Sequence, residues 1–183
     1  MLTSFTKYLR RFRDDRRGSV AIEAVVMLPI LFWALVATFT FFDAYRQVGQ
    51  SIKANYTISD MLSRETAYIN PDYMNTAQQL YNLMTRTTTA TRLRITVVRY
   101  DGPSETFKRD WSKTRGSVSP LTSAQVADLE SRLPSIPHND RLIVVETWKD
   151  YKPPFRIGIE PQELYHFSFT RPRFAPILPW SDV

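Results

Sequence analysis

Residues 24–42 read AVVMLPILFWALVATFTFF, a run of 19 residues without a charged side chain. A helix of that length is roughly 28 Å long, close to the bilayer hydrocarbon thickness of about 30 Å. Its Val, Leu, Ile and Phe residues together favour insertion by roughly 3–7 kcal/mol. The run predicts a transmembrane helix, and the alternatives are a buried core helix and a cleaved secretory signal. A secretory signal fits poorly, because no small-x-small cleavage site follows Phe42.

The segment before this run is strongly basic. Residues 1–18 read MLTSFTKYLRRFRDDRRG and carry six Lys and Arg against two Asp, a local charge of +4, whereas the whole chain carries +6. The positive-inside rule therefore places residues 1–18 in the cytoplasm and the residues beyond 43 across the membrane. A basic leader is also compatible with nucleic-acid binding. No aromatic stacking platform accompanies it, and we expect no nucleic-acid partner.

The junction RRGSVAIEAVVMLP, residues 16–29, places one carboxylate beside the apolar run. Placing the ionised Glu23 side chain next to the hydrocarbon costs free energy unless the carboxylate is neutralised or paired. A cut between Gly18 and Ser19 would free an amine with a pKa of about 7.7–8.0, which is mostly protonated at neutral pH. That amine is a candidate partner for Glu23, in a neighbouring chain or one helical turn away in the same chain. The alternative is an uncut chain whose Glu23 reaches the lipid head groups. Pro29 has no N–H to donate and predicts a kink in the span.

This arrangement resembles the type IV prepilins and, more narrowly, the TadE-like pseudopilins of the bacterial tight-adherence or Flp pilus system. The resemblance covers residues 13–65 best, and later segments such as VVETWKDYKPPF and FSFTRPRFAP are similar with low specificity. The chain is long beyond the span, and so resembles a TadE/TadF/TadG-type minor component more than the short major pilin. The motifs that carry the resemblance are Arg16–Arg17–Gly18, Val20–Ala21–Ile22–Glu23 and Leu28–Pro29.

The resemblance implies how these residues act. A prepilin peptidase would cut after Gly18, and Ser19 would become the first residue of the mature chain. Glu23 would help to recruit the subunit and would pair with the N-terminal amine of a neighbour. The partners implied are other pilin or pseudopilin subunits, the Tad assembly proteins and the lipid bilayer. The location implied is the bacterial inner membrane, with the C-terminal domain in the periplasm. Incorporation of the subunit into an extracellular pilus is a further expectation of the resemblance.

After the span, residues 19–42, the helix is predicted to continue as a stalk over residues 43–67. Four apolar residues at steps of three and four form a stripe on it, and Asp60 and Arg64 form an i,i+4 pair. We expect the stripe to pack in the core of the domain, and packing on other subunits is the alternative. The stripe consists of Tyr45, Val48, Ile52 and Tyr56.

Residues 68–183 are predicted to form a small domain with a Pro-rich C-terminal tail. Asn70–Pro71 marks the start of a second helix. Thr122 and Gln125 form a capping box for a third helix, which Pro134 ends. Residues 92–100 alternate and predict a strand, residues 105–113 offer a partner strand after a turn, residues 141–149 read as a central strand, and residues 164–170 read as a further strand with one aromatic face. The fold class is therefore α+β: a long N-terminal helix, a small antiparallel sheet and two shorter helices. The predicted inward residues are Tyr73, Ala77, Leu80 and Met84 on the second helix, and Val126, Leu129 and Leu133 on the third.

The remaining sequence offers little catalytic chemistry. The chain has no Cys, two His and no phosphate loop, dinucleotide fingerprint or nucleophile elbow. His138 fits turn chemistry, and His166 is expected to face solvent or to pair across the sheet. The carboxylates Asp140, Glu146 and Asp150 do not converge as a metal site requires. We expect no enzyme activity, no metal and no cofactor. Trp111, Trp148 and Trp180 are interpreted as core residues, with an exposed binding surface as the alternative.

Three functions are compatible with the sequence. The first is a structural subunit, a pseudopilin or minor pilin that acts in pilus assembly and adherence. The second is an unprocessed inner-membrane scaffold or assembly factor of the same machine. The third is a membrane-tethered enzyme or ligand-binding domain, which the missing motifs disfavour.

Overall fold

The computed structural model describes residues 17–182, and most of the basic leader, residues 1–16, lies outside the described residues. The fold is α+β, as predicted: a long helix, two shorter helices and one antiparallel sheet. The elements in chain order are α1 (Arg17–Arg64), α2 (Pro71–Thr85), β1 (Thr91–Asp101), β2 (Thr106–Arg115), α3 (Ser123–Ala127), a 3-10 turn (Glu130–Arg132), β3 (Arg141–Tyr151) and β4 (Gln162–Thr170).

The four strands form one sheet in the order β2-β1-β3-β4, with every neighbouring pair antiparallel. Each strand matches a segment predicted as a strand from the sequence, with bounds that differ by at most two residues. A register shift between Val97 and Val98 marks a bulge in the β1–β2 pair. Such a bulge bends the strand locally and increases its twist. One face of the twisted sheet packs against helices α1 and α2.

The main core lies between this sheet face and the helices α1 and α2. Ile95 and Val97 from β1 and Ile143 and Val145 from β3 are fully buried in it. Opposite them, α1 contributes a narrow face of small and polar residues with two larger ones. This buried face consists of Ser51, Ala54, Asn55, Ile58, Ser59, Leu62 and Ser63.

The expectation that the stripe on α1 packs in the core is wrong. Tyr45 is 77% exposed and Tyr56 is 61% exposed, Ile52 is also exposed, and Val48 is half-buried. The physical reason is volume, because the sheet face already carries bulky β-branched side chains. A helix packs closely against such a surface mainly through small residues such as Ala54 and Ser59, and the tyrosines of the stripe turn outward.

Helix α1 ends at Arg64, three residues before the predicted end. The carbonyl of Ser63 would accept the N–H of Ala67 in a continuing helix. Instead it accepts the N–H of Arg173 from the tail at 2.7 Å, and the Glu65 carboxylate accepts the Ala67 N–H at 3.1 Å. The predicted Asp60–Arg64 pair forms at 2.9 Å. The tail therefore caps the end of the long helix.

Helix α2 begins as predicted, with Asn70 accepting the Tyr73 N–H at 2.9 Å and Pro71 at the first helical position. Its predicted inward face is wrong in part, since only Ala77 of the four residues is fully buried. The buried face is rotated, because α2 packs against α1 and the sheet together rather than against a single surface. It consists of Met74, Ala77, Tyr81 and Thr85.

A smaller core covers part of the opposite sheet face. The capping box of α3 is present, with Thr122 and Gln125 each bonding the backbone N–H of the other. The predicted third helix is broken: α3 ends at Ala127 and a separate 3-10 turn follows. Packing sets the ends of such short helices more than propensity does. Leu133 is extended, as a residue before proline is expected to be. The buried residues of this core are Val98, Phe107, Leu121, Val126, Leu129, Ile136, Leu142 and Val144.

The Pro-rich tail lies along the domain, as predicted. Ile69 and Trp180 form an isolated parallel bridge, and Leu178 is fully buried in the main core. Trp111 Nε1 donates to the Leu178 carbonyl at 2.7 Å, and its ring lies 5.6 Å from that of Trp180. These contacts fasten the tail to β2 and to the α1–α2 connection.

Candidate functional site

The first half of α1 is an apolar surface that the domain leaves uncovered. Every side chain described from Val20 to Leu35 is exposed, including Phe32 and Trp33. The most apolar window of 18 residues has a mean hydropathy of 2.4, and none of it is buried. The interpretation as a buried core helix is therefore wrong. Within residues 17–182, one helix, α1, is long and apolar enough to cross a membrane.

The residues predicted for processing and pairing lie at the start of this helix. Gly18 and Glu23 are both exposed, and a Cβ added to Gly18 would meet nothing within 4 Å. The Gly18–Ser19 bond lies within helical backbone, and Pro29 lies inside the same helix three turns later. Cleavage after Gly18, pairing of Glu23 and a kink at Pro29 stay predictions.

A buried polar cluster joins the domain to α1 immediately after the apolar run. Lys149 on β3 is 4% exposed, and its Nζ donates to Gln47 Oε1 and to the Thr85 carbonyl, the latter at 3.1 Å. Tyr151 donates its hydroxyl to Asp43 Oδ2 at 3.3 Å. The cluster therefore ties the end of β3 to the helical turn that follows Phe42.

Burial sets the titration of this cluster. It lowers the pKa of Lys149, while the nearby Asp43 carboxylate opposes that shift. Burial also raises the pKa of Tyr151, and Asp43 raises it further. A lysine held this way loses its proton more readily than an exposed one. The sequence signal for it was available, since Lys149 occupies an inward position of an alternating strand.

The connection from β3 to β4, residues 152–161, returns to the apolar helix. The Phe155 ring lies 6.2 Å from the Phe39 ring in an edge-on arrangement. On the helix itself, Thr40 is fully buried and Val36 is half-buried. Phe39 belongs to the last turn of the predicted span. The domain thus covers one side of α1 down to the end of the apolar run.

A second polar network lies on the sheet face away from α1. Glu146 is almost fully buried and accepts two hydrogen bonds from Arg94, at 2.6 and 2.8 Å. Tyr165 donates its hydroxyl to Glu146 at 2.8 Å and accepts one from Arg132 at 3.0 Å. Burial and then Glu146 raise the pKa of Tyr165. Bidentate pairing in a satisfied network is typical of a structural ion pair.

The two histidines singled out in the sequence lie in a turn and beneath helix α1, respectively. His138 lies in a turn and accepts the Gly102 N–H at 3.0 Å. Of the two expectations for His166, facing solvent is wrong, because its Nε2 is buried on the face beneath α1, where burial lowers its pKa. The strand pairs His166 with Thr147, which places both beneath the helix. In the part of the chain that the structure describes, no group of three or more His, Cys, Asp or Glu converges to hold a metal.

The tryptophans divide between the two sheet faces. Trp111 and Trp180 pack against the main core, as the core interpretation predicted. Trp148 lies on the opposite face, where it stacks on Tyr165 at 5.2 Å and lies 5.1 Å from the Arg94 guanidinium. The three residues therefore do not form one binding surface.

Sequence reasoning did not assign the residues that join α1 to the sheet. Asn55 is fully buried, and its Nδ2 donates to Thr147 Oγ1 at 3.1 Å and to the Val145 carbonyl at 3.3 Å. A single Asn within a helical stretch of polar residues gives no local signal of such a role. The partner strands lie about 90 residues away in the chain.

These features define a class of protein: an α+β domain carried on a helix whose free half is long and apolar enough for a bilayer. We compared the chain with protein-family models, with curated proteins and with solved structures, and found no match in any of the three.

Proposed function

We propose that the protein is a membrane-anchored structural subunit of a Tad or Flp-type pilus or secretion machine, of the pseudopilin or minor-pilin kind. The observation that carries the proposal is the division of α1 into an uncovered apolar half and a half that holds the domain. Bare apolar helix surface of this extent is stable in lipid or against other apolar helices, and unstable in water.

The outward stripe on α1 supports assembly with other subunits. Tyr45, Ile52 and Tyr56 lie on the side of the helix that the sheet leaves open. Aromatic and aliphatic residues at this spacing are typical of helix-to-helix packing. Apolar surface thus extends beyond the span, along the part of α1 that carries the domain.

The junction at Gly18 supports processing by a prepilin peptidase. A peptidase needs local access to the bond, so the helical backbone around it has to open. Gly18 lowers the free energy of that opening, because glycine destabilises a helix by roughly 1 kcal/mol relative to alanine. Cleavage there would create a cationic amine on Ser19, about one helical turn from Glu23. With the cationic leader inside, the domain would lie in the periplasm.

The processing test compares two glycines of the same helix. Gly18 and Gly49 both have open space where a Cβ would stand, so Ala fits at either position. We expect co-expression with a Tad prepilin peptidase to remove residues 1–18, as seen by intact mass. Gly18→Ala should block the cut and Gly49→Ala should leave it intact. A full-length chain in the wild type would contradict processing.

A second candidate, the unprocessed scaffold, has one observation in its favour. Residues 17–20 are helical, so the Gly18–Ser19 bond lies in helical backbone rather than in an extended segment. An uncut chain that still copurifies with Tad assembly proteins would support the scaffold. Within the first proposal, Glu23→Ala should leave the cut largely intact and reduce assembly. Normal assembly of that variant would remove the role assigned to the carboxylate.

A further inference from the structure

The β3–β4 connection lies at the depth where the apolar helix would leave the bilayer. Phe155 contacts Phe39, which precedes Phe42 by three residues, roughly 4–5 Å along the helix axis. If residues 24–42 span the hydrocarbon, Phe155 lies at the boundary with the head groups. This step rests on the membrane anchoring proposed above.

The composition of the connection suits that boundary. Phe155 is 47% exposed although it touches the helix, and Lys152 and Arg156 flank it with exposed cationic side chains. Aromatic rings are enriched at the membrane–water interface, and cations near it attract anionic lipids by about 1 kcal/mol each. Arg46 adds a further exposed cation one turn beyond Phe42.

The connection also borders a partly open pocket of about 700 Å³. Lys152, Arg156 and Glu160 are among the residues that line it. That volume lies within the range of small-molecule sites. Two cations facing one pocket suit a phosphate group, and the neighbouring carboxylate suits a hydroxyl or amine on the same ligand.

The polar cluster before the connection fixes its position. Lys149 and Tyr151 immediately precede it and are bonded to Gln47 and Asp43 on α1. The first residues of the connection therefore keep a constant height on the helix. A contact held in this way loses little conformational freedom when it binds.

We propose that residues 152–161 form a second membrane contact, which binds the head groups of anionic phospholipids through Lys152 and Arg156 and places Phe155 in the interface. The domain is then held by the span and by this connection together. Two separated contacts restrain its tilt and rotation relative to the bilayer. The ligand class is an anionic phospholipid in the leaflet opposite the basic leader.

The test uses the absence of Cys from the chain, which allows single fluorescent labels on the full-length protein. The labels are placed at Pro154→Cys in the connection, at Pro103→Cys in the β1–β2 turn at the far end of the sheet, and at Leu31→Cys in the span. The protein is reconstituted into nanodiscs of phosphatidylcholine alone or mixed equally with phosphatidylglycerol. Lipids that carry a quencher near the head group or deep in the acyl chain report the depth of each label.

We expect the head-group quencher to act on the Pro154 label and not on the Pro103 label, with stronger quenching when phosphatidylglycerol is present. Lys152→Glu with Arg156→Glu should remove that lipid dependence, since two lost attractions weaken binding by roughly 30-fold. Lys53→Glu, an exposed cation elsewhere on α1, should leave it unchanged. Phe155→Ala should reduce the quenching in both lipids.

The outcomes separate this inference from the proposed anchoring. A quenched Leu31 label with an unquenched Pro154 label would overturn the lipid contact and leave the span in place. An unquenched Leu31 label would overturn both. The assigned lipid class would be overturned if quenching of the Pro154 label did not change with phosphatidylglycerol or with Lys152→Glu and Arg156→Glu. A Pro154 label that responds only to protein concentration would indicate a second copy instead and would also overturn it.

Discussion

The two halves of α1 follow opposite rules within one continuous helix. From Val20 to Leu35 large apolar side chains are exposed, whereas from Ser51 to Ser63 small and polar side chains such as Ala54 and Asn55 are buried. The difference teaches that hydropathy alone does not identify the packed face of a helix. The first half has the composition of a membrane-spanning helix, and the second half has small residues that allow close approach to a sheet face filled with Ile and Val.

The largest effect is expected from placing charge in the exposed half. Leu31→Arg with Leu35→Arg should raise the free energy of insertion by about 5–7 kcal/mol, because each Arg costs about 2.5–3.5 kcal/mol in a bilayer. The membrane-integrated fraction, measured by alkaline extraction, should fall close to zero. Leu83→Arg is the matched control, since Leu83 is 75% exposed on α2. Membrane integration of the double variant would contradict the assignment of the exposed half of α1 to the bilayer.

The next effect is expected from enlarging the buried half. Ala54→Leu should lower the free energy of unfolding by about 1–3 kcal/mol, because Ala54 is fully buried where helix and sheet meet closely. Chemical unfolding of the full chain in detergent measures it. Lys53→Leu changes the adjacent exposed residue and should stay within about 0.5 kcal/mol. Equal stability of the two variants would show that α1 does not need small residues there.

A smaller effect is expected at the boundary between the halves, where burial lowers the pKa of Lys149. Between that lowered pKa and the ordinary lysine value of about 10.4, the unfolded chain binds more protons than the folded one. The contribution of Lys149 to stability therefore rises with pH across this window. Lys149→Met should remove that rise, as seen in unfolding measured at several pH values. A pH profile identical to that of the wild type would exclude Lys149 as its source.

The smallest effect on stability is expected at the outward stripe. Tyr45→Ser with Tyr56→Ser should change the free energy of unfolding by no more than about 0.5 kcal/mol, because both side chains are exposed. Chain-to-chain cross-linking in membranes should nevertheless fall. Tyr68→Ser removes an exposed tyrosine outside α1 and serves as the control. A large loss of stability, or unchanged cross-linking, would contradict the role of the stripe.

Local patterns were sufficient to predict most of the fold. Residues 92–100 alternate, the apolar run in residues 141–149 indicates a central strand, Asn70–Pro71 marks the start of α2, and the capping box marks the start of α3. Each of these signals acts between residues close in the chain. These signals can therefore be recognised in the sequence before the tertiary contacts are known.

Properties that depend on distant partners were not predicted. The buried face of α1 depends on the volume of the sheet beneath it, and the end of α1 depends on Arg173 of the tail. The network around Glu146 joins β1, β3 and β4, so its convergence has no local signature. The candidate site divides in the same way: the apolar run and the Gly18–Glu23 spacing are local, whereas the approach of Phe155 to Phe39 is not.

The strap formed by the tail sets an order of events during biogenesis. The Ser63 carbonyl, the Ile69 backbone and the Trp111 indole all bond to residues 173–181. The core is therefore complete only after residues 173–181 have left the ribosome and, with an outward-facing domain, have been translocated. If the apolar helix spans a membrane as proposed, it precedes these residues in the chain and enters the membrane first. Closure of the domain core then begins from a chain that is already tethered.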